Sequence, residues 1–562
     1  MSALPFRRSL MLAALGTALT VGACSRGGKS EVPEITVEAA SLDLSGADAR
    51  ALERHFQIKP RRGNEADTLA VLEALGLAER TEGRTIDGAT AAFADWSASD
   101  GDTAFTADRL VLRGLHMVDG QPVYDALDAE GIRIIERGTT PDAEDDTAAQ
   151  TDGTLARLVV VEPTPDFAAE LAAVLRGEEA PDTPNPLRGG EAELPFRALR
   201  MDDADIAVND PAQSGSMALE LLVIGNDDEA GTMDVILDSV SADLGEAGAP
   251  GRLALSMDGL TALDLRVEGD AGAGLGAMGA LSQLSVMAPS AEPPYREIDF
   301  GAMALDMAQF GLRTDGFEAD SAQSGSVLTL RSVLKPTVVT LKDATGTPLA
   351  PFMDTMRENG LAEVTFKGSQ TQAFDRARDR VSVSDARLEI DEGLRMDCDY
   401  QLGGLQAAAN SLDDSGVTPP EPGPMETEEQ IDAFLTQMAA FQEAQAEASA
   451  LVTIDALDCT VQDVPDNSLV TRGYAVASDV TGRPVAVLKG GAKTMIALSS
   501  LTAQSEFQRD LMDSLGSGLI DFIDTPGQTM RITVAPDAPV SITSLSGPDA
   551  SLKPLGLTVT VE

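Results

Sequence analysis

Apolar and polar residues alternate along much of this chain, most clearly between Arg380 and Leu405. A period of two gives a strand one apolar and one polar face, which is typical of an antiparallel sheet with one face in water. Similar alternation in Thr106–Leu115, and through most of the segment 194–412, predicts further strands. The apolar positions of the clearest stretch include Val381, Val383, Leu388, Ile390 and Leu394.

Apolar residues at helical spacing occur at fewer places. Asn64 is a good helix cap, and Thr164 followed by Pro165 combines a cap with a first-turn proline. Two apolar stripes, Ile431 to Phe441 and Phe507 to Phe522, predict helices that cover a sheet rather than cross a membrane or bind a cofactor. The sequence therefore predicts an α+β fold, mainly antiparallel β, with a few covering helices.

Segments poor in apolar residues divide the chain into parts. Residues 138–153 and 417–426 are rich in Pro, Thr, Asp and Glu, which is usual in linkers. With 562 residues, the chain exceeds the roughly 250 to 300 at which a single core stops growing. The predicted parts are an N-terminal α+β part at 45–137, a β-rich body at 154–416, and a C-terminal helix-plus-strand part at 427–562.

One pentapeptide, Ala-Gln-Ser-Gly-Ser, occurs twice in the predicted body, at 212–216 and at 322–326. Each copy precedes alternating apolar residues, as an internal duplication would require. Five common residues also recur by chance, so duplication and chance both stay open at this point.

The first two dozen residues have the layout of a secretory signal. Arg7 and Arg8 precede a mostly apolar run, Ser9 to Thr20, that is short for a membrane span. The four residues after this run resemble the bacterial lipobox and are Val21, Gly22, Ala23 and Cys24. The resemblance implies cleavage before Cys24, so that residues 1–23 are the signal peptide. An ordinary signal that happens to carry a Cys near its cleavage site is the alternative.

A lipobox also implies a place in the cell. Acylation of Cys24, with palmitate or a related chain, would hold the protein on a membrane without spanning it, and residues 24–44 would form the anchor and spacer. By analogy with other lipoproteins, Ser25 after the Cys favours the outer membrane. We therefore expect a periplasm-facing protein whose contact with the membrane is its N-terminal lipid.

The charge of the chain narrows the classes of partner. Asp and Glu number 91 against 41 Lys and Arg, which gives a formal net charge of −50. So acidic a protein is a poor ligand for nucleic acid and for bare anionic lipid surfaces, neither of which is expected as a partner. The acidic residues are scattered rather than gathered in tails, so most of them are expected to solvate the surface.

Three cysteines allow one disulfide. If Cys24 carries lipid, Cys398 and Cys459 remain as a pair in an oxidising compartment, and both lie in strand-like segments. A disulfide between them is therefore predicted, with two reduced thiols that never meet as the alternative.

The residue types that carry catalysis are sparse. His55 and His116 are the two histidines, and no Cys/His spacing for zinc exists. Ser332 and Lys335 match the Ser-x-x-Lys spacing of penicillin-binding enzymes, but Pro336 follows and the flanks are strand-like. The acidic pairs at 145–146 and 227–228 lack a calcium-loop frame. We therefore expect a non-enzymatic protein without a metal or a cofactor.

The pattern of about two thirds of the chain resembles large β-rich envelope proteins of the AsmA-like and YdgA-like kind. The residues that carry the resemblance are Thr106–Leu115, Arg380–Leu405 and Leu519–Gly527. The resemblance implies elongated, curved sheets with an apolar trough that can hold lipid. It assigns a role to no individual residue.

Three hypotheses for the function follow. The first is a structural or interaction role in the envelope, with a protein partner. The second is binding or transfer of a lipid or another apolar ligand on a sheet face that includes Val381, Val383, Leu388, Ile390 and Leu394. The third is a hydrolase of unrecognised type. Alternation cannot separate the first two, but helices that cover this face would argue against the second.

Overall fold

The computed structural model describes most of the chain after residue 45. The described ranges are 46–59, 61–99, 103–138, 149–177, 194–209, 214–227, 231–245, 253–266, 293–342, 349–417, 428–501, 506–545 and 551–562. Cys24 and the other lipobox residues Val21, Gly22 and Ala23 lie outside these ranges, so the signal and the anchor stay predictions.

Nine α-helices and twenty-five strands occur in the described ranges. The helices are α1 Gly46–His55, α2 Glu65–Ala74, α3 Pro165–Leu175, α4 Ala350–Glu358, α5 Leu405–Ser415, α6 Glu428–Ser449, α7 Leu469–Thr481, α8 Val485–Leu501 and α9 Glu506–Asp524. The first fifteen strands are β1 Arg84–Asp87, β2 Thr90–Ser99, β3 Thr103–Arg113, β4 His116–Val118, β5 Gln121–Val123, β6 Ala126–Gly138, β7 Ala149–Pro163, β8 Phe196–Asn209, β9 Ser214–Asp227, β10 Thr232–Leu237, β11 Val240–Gly245, β12 Leu253–Met257, β13 Leu260–Arg266, β14 Glu297–Phe300 and β15 Met303–Asp306. The remaining strands are β16 Phe310–Thr314, β17 Phe317–Ser324, β18 Val327–Leu341, β19 Glu363–Asp375, β20 Arg380–Ile390, β21 Leu394–Gly403, β22 Thr453–Asp463, β23 Thr529–Val534, β24 Val540–Ser541 and β25 Thr558–Val561.

The strands form antiparallel sheets. Neighbours in the chain pair from β6 to β9 and again from β18 to β23, each time antiparallel. Strands and helices alternate irregularly, without the regular crossovers of a parallel sheet. The fold is therefore α+β and mainly antiparallel β, as the alternation predicts.

The chain divides into two compact units, and the division does not fall at the predicted linkers. In the described residues, the first unit holds α1–α3 and β1–β15, and the second holds β16–β25 and α4–α9. Strands β6 and β7 pair with each other across residues 138–153, and β7 already begins at Ala149. Strands β21 and β22 likewise pair across residues 417–426. The strands on either side of each segment pair with one another, so composition alone does not mark a domain boundary.

Helices pack on both faces of the sheet of the first unit. α2 and α3 cover one face, over a core that includes Phe93 and Trp96. α1 covers the other face, where Leu52 and Phe56 are fully buried. The predicted caps of α2 and α3 are present, because Asn64 and Thr164 accept hydrogen bonds from backbone N–H groups in the first turn.

The repeated pentapeptide does not mark a structural repeat. Of the first copy, Ser214, Gly215 and Ser216 belong to strand β9. In the second copy Ser324 ends β17 and Gly325 forms the hairpin turn to β18 with φ near +61°. The same residues occupy a strand in one place and the end of a strand and a turn in the other, so the recurrence does not correspond to one repeated local structure.

Candidate functional site

A β-bulge keeps the apolar residues of β20 on one face of the sheet. Val383 pairs with Tyr400 and Ala386 with Cys398, so β20 has one more residue than β21 between these pairs. The extra residue is accommodated at Asp385, whose φ is +53° and whose N–H donates to the Asp399 carboxylate. Without the bulge, every residue after it would point to the opposite face.

The five residues predicted as an apolar face therefore lie together. Val381 and Val383 precede the bulge, Leu388 and Ile390 follow it, and Leu394 is the cross-strand partner of Ile390. The alternation in the sequence is interrupted between Val383 and Leu388, and the bulge places the residues on both sides of the interruption on the same face.

Strand β18 contains a second bulge of the same kind. Leu334 pairs with Gly368 and Thr337 with Phe366, which leaves Lys335 and Pro336 in the irregular position. Proline has no N–H for a sheet ladder and is tolerated at bulges. The Ser-x-x-Lys spacing thus lies within a strand, where Lys335 pairs with Glu318 at 2.6 Å, and does not form the helix that penicillin-binding enzymes need.

The same face continues to the last strand of the chain. Cys398 pairs with Cys459, which pairs with Ile532 on β23, which in turn pairs with Val559 on β25. Cys398 and Cys459 form a disulfide directly across β21 and β22, with a Cα–Cα distance of 4.1 Å, in agreement with the sequence prediction. We call this side of strands β18–β23 and β25 the apolar face. Its members include Leu330, Leu334, Phe366, Val381, Val383, Leu388, Ile390, Leu394, Met396, Cys398, Cys459, Val461, Met530, Ile532 and Val559.

The opposite side of these strands carries ion pairs. The Glu389 carboxylate lies 3.1 Å from Lys367 Nζ and 3.3 Å from Arg395 Nη2. Its hydrogen bond to Lys367 lowers the pKa of Glu389. Arg531 does the same for Asp458, whose pKa is lowered by a hydrogen bond between neighbouring strands. The sheet of the second unit thus has one charged and one apolar side.

Helix α9 covers one end of the apolar face. Gly518 lies so close to the sheet that a Cβ added there would be 2.4 Å from Val559 Cγ1 and 3.7 Å from Met530 Sδ. Phe522, one helical turn later, is buried. The predicted stripe Phe507 to Phe522 therefore covers the sheet at strands β23 and β25, except at Leu519, which is 37% exposed.

The rest of the apolar face is only partly covered. Val381 and Val383 are buried, whereas Leu388, Ile390 and Leu394 are half-buried. Met396, the cross-strand partner of Leu388, is 37% exposed. Apolar side chains that alternate toward one face yet stay in contact with solvent are what a ligand surface requires.

Helix α6 does not bury its predicted stripe. Ile431 is 40% exposed and Leu435 is 56% exposed, and the buried residues of this helix are Ala444 and Ala448 near its other end. The expectation that the stripe Ile431 to Phe441 covers a sheet is therefore wrong for these two residues. Periodicity shows that one side of a helix is apolar, but not whether another element lies against it.

Both histidines have structural surroundings. His55, in the last turn of α1, lies 3.2 Å from the Asp234 carboxylate on β10 and packs against Gly225. His116 Nδ1 lies 2.7 Å from the carbonyl of Gly114. Since a carbonyl only accepts, this contact puts the proton of neutral His116 on Nδ1. Neither ring lies with a nucleophile in a catalytic arrangement in these contacts.

A row of buried charges crosses the sheet of the first unit, and the sequence pattern gave no sign of it. Asp128 is 1% exposed and lies 3.0 Å from Arg157 and 3.5 Å from Arg113. Burial lowers the pKa of Arg113 and raises that of Asp202 on the neighbouring strand β8. Each of these charged residues has an oppositely charged neighbour. Such pairing is found both in structural ion-pair networks and in functional sites.

The described residues contain neither a metal cluster nor a membrane-spanning helix. No group of three or more His, Cys, Asp or Glu in those ranges is arranged to hold a metal ion. Among the helices of the described ranges, none combines the length and the apolar content that crossing a bilayer needs.

The comparisons with known proteins assign no activity. Residues 387–562 match a family model described as an uncharacterized protein. This match covers the end of β20 and everything after it, including the disulfide and helices α5–α9. The search of curated proteins found no match.

Proposed function

We propose that this chain is a lipid-anchored envelope protein whose second unit binds the acyl chain of a lipid on its apolar face. The observation that carries the proposal is the partial exposure of Leu388, Ile390, Leu394 and Met396 on a face that is mostly apolar, although Gln372 pairs with Val383 there. A face that served only as a core would be expected to bury these side chains, as Val381 and Val383 are buried.

The dimensions of the face suit a hydrocarbon chain. Strands lie about 4.8 Å apart, so the side chains of β18 to β22 extend over roughly 19 Å. This is comparable with the length of an extended fatty acyl chain. Each methylene buried there would contribute about 0.8 kcal/mol, so a long chain would bind without any polar contact.

Mass spectrometry of organic extracts tests the proposal. A soluble form without Cys24, which carries no lipid of its own, is purified from the envelope fraction without detergent. We expect a stoichiometric phospholipid or another acyl lipid in the extract. An extract without an apolar molecule, from a protein that melts cooperatively, would overturn the proposal.

Two matched variants on β21 locate the site. Met396→Glu places a charge on the apolar face, whereas Gln401→Glu places the same charge on the opposite, polar face of the same strand. We expect Met396→Glu to lose most of the extracted lipid and Gln401→Glu to retain it. Equal lipid content in the two variants would show that the lipid binds elsewhere.

A structural or interaction role is the second candidate, and one observation favours it. The exposed Ile431 and Leu435 on α6 are large apolar side chains that contact solvent. If the extracts prove free of lipid, the search for a function would turn to protein partners of this helix.

A further inference from the structure

One arginine of the second unit has buried nitrogen atoms without a hydrogen-bond partner. Arg376 is the first residue of the turn between β19 and β20. Its Nε and Nη2 atoms are inaccessible to solvent, and no atom of the described residues accepts a hydrogen bond from either of them. A guanidinium stays charged in proteins, and a buried polar group without a partner costs free energy. Such a group therefore requires an explanation.

The carboxylates of the same turn bind other groups. Asp375 accepts a hydrogen bond from Arg378 Nη1 at 3.1 Å. Asp379 accepts hydrogen bonds from two backbone N–H groups at the start of α5, at 2.8 and 2.9 Å. Neither carboxylate is hydrogen-bonded to Arg376 in these contacts, so the charge of Arg376 is not compensated within its own turn.

Other arginines of this chain show what the same edge of a guanidinium binds. Arg133 donates from Nε and Nη2 to the two carboxylate oxygens of Asp152, at 3.1 and 2.6 Å. Arg157 donates in the same way to Asp128, at 3.0 and 3.3 Å. These two nitrogens are parallel donors whose spacing fits two oxygens of one carboxylate or phosphate. The Nε–Nη2 edge of Arg376 therefore has the donors of an oxyanion site.

The surroundings of Arg376 allow an anion to approach. Residues 375–380 contain three arginines and two aspartates, which is a positive balance in a chain with a net charge of −50. Charges more than about 8 to 10 Å away are largely screened in physiological salt, so this local balance matters more than the net charge. Arg376 as a whole is half-buried, so its buried edge lies close to the solvent.

Arg376 also stands at one end of the apolar face. It follows Phe374 by two residues, and Phe374 pairs with Val381 of that face. Gly368, the partner of the half-buried Leu388, precedes Phe374 by six residues on β19, which corresponds to about 20 Å. A free oxyanion and the acidic group of a long acyl lipid would thus offer Arg376 the same chemistry.

We propose that Nε and Nη2 of Arg376 bind an oxyanion, the carboxylate or phosphate of a ligand. Two charge-assisted hydrogen bonds would satisfy both buried nitrogens and neutralise the guanidinium. A free oxyanion can bind there whether or not the apolar face holds a lipid. Where the oxyanion is the acidic group of the acyl lipid, the inference rests on the function proposed above.

Thermal unfolding of the soluble form without Cys24 tests the buried charge. In Tris chloride without an added oxyanion, Arg376→Met should raise the transition temperature by about 2 to 4 °C, because it removes a charge that has no partner in the protein. Arg331→Met is the matched control on the neighbouring strand β18, where Arg331 is exposed, and should change the temperature little. A lower temperature for Arg376→Met would show that Arg376 has a partner within the chain, and the proposal would fail.

Calorimetric titration with sodium phosphate, and separately with submicellar sodium palmitate, tests the binding at constant ionic strength. We expect the parent to bind at least one of them, and Arg376→Met to bind it more than about ten-fold more weakly. Arg376→Lys keeps the charge but loses the two parallel donors, and should also bind about ten-fold more weakly. Circular dichroism checks folding, and Arg376→Lys carries the comparison by itself if Arg376→Met is unfolded. A parent that binds neither probe, or equal loss in Arg331→Met, would overturn the proposal.

Met396→Glu distinguishes the two sources of the oxyanion. Phosphate needs only Arg376, so Met396→Glu should bind it as the parent does. If the acyl chain of palmitate lies on the apolar face, both Met396→Glu and Arg376→Met should bind palmitate more weakly. Palmitate binding that Met396→Glu abolishes and Arg376→Met leaves intact, with no binding of phosphate, would overturn the role of Arg376 while the acyl-chain site stands. The two proposals can therefore fail separately.

Discussion

In the first unit, the effect of a charged residue on stability depends on whether its ion pair is buried. Asp128 is almost fully buried between Arg113 and Arg157, whereas Asp152 pairs with Arg133 in a contact open to solvent. Breaking a buried pair leaves an uncompensated charge, while an exposed pair contributes little. Two aspartates with similar partners should therefore have very different effects on stability.

The first prediction compares these two positions. Asp128→Asn should lower the free energy of unfolding by about 3 to 5 kcal/mol, because the arginines on either side stay buried. Asp152→Asn should change it by about 0 to 1 kcal/mol. Urea unfolding measures both. A small effect at Asp128 would mean that water reaches the buried arginines.

The second prediction concerns pH and Glu389. The hydrogen bond to Lys367 lowers the pKa of Glu389 in the folded protein, so the charged carboxylate stabilises the fold. This contribution is present above the ordinary glutamate pKa of about 4.3 and is lost as the pH falls through the lowered, folded-state value. Glu389→Gln should therefore be less stable than the parent at pH 7.

The difference between the two proteins should shrink as the pH falls below about 4. Urea midpoints at several pH values from about 7 to about 3 would show this convergence. A difference that stays constant over the range would mean that the substitution acts through packing rather than charge.

At the level of elements, close contact of helix and sheet depends on the absence of a side chain. Gly518 brings α9 against Val559 and Met530, whereas a Cβ added at Gly473 on α7 would meet no neighbouring atom within 4 Å. Both glycines are helical, so alanine would improve the intrinsic helix propensity of each by about the same amount.

The third prediction follows from this contrast. Gly473→Ala should stabilise the protein by about 0.5 to 1 kcal/mol. Gly518→Ala should destabilise it by about 1 to 3 kcal/mol, since the new methyl group overlaps Val559 and pushes α9 from the strands. Thermal unfolding compares them. Equal gains in stability would show that α9 does not pack tightly on the sheet.

The sequence predicts some helices and strands of this protein better than others. The strands of 380–405 and the caps at Asn64 and Thr164 follow from short-range pattern and backbone chemistry. Helices α7 and α8 were not predicted, although Ser468 caps α7 and Pro484 precedes α8. Their apolar residues are spread over more than one side, so they show no clear stripe against a single neighbour.

For the whole molecule, the division into two units has thermodynamic consequences. The disulfide Cys398–Cys459 closes a loop of 61 residues within the second unit, and the chain-entropy model assigns it about 4 kcal/mol. Asp128 belongs to the first unit. A change in one unit should therefore affect mainly the unfolding of that unit.

The fourth prediction is that calorimetry resolves two transitions. Reduction of the disulfide, or Cys398→Ser with Cys459→Ser, should lower one transition temperature and leave the other within error. Asp128→Asn should lower the other one. A single transition that both changes shift equally would mean that the two units unfold together.

The sequence by itself determined the antiparallel β character, the two-faced strands and the disulfide pairing. These depend on interactions of residues with their near neighbours in the chain and on the count of cysteines. The apolar positions Val381, Val383, Leu388, Ile390 and Leu394 also follow from the sequence, whereas the bulge that aligns them on one face does not.

Only the tertiary structure decided which apolar residues are covered. A strand face beneath a helix and a strand face open to solvent show the same alternation in the sequence. The alternation indicates which residues are apolar, but not whether another element packs against them. Thus α9 covers β23 and β25, Met396 stays exposed, and Val487, Met495 and Leu498 of α8 contact solvent. The division of the chain and the buried charges around Asp128 also depend on strand pairing between distant residues, which local pattern does not encode.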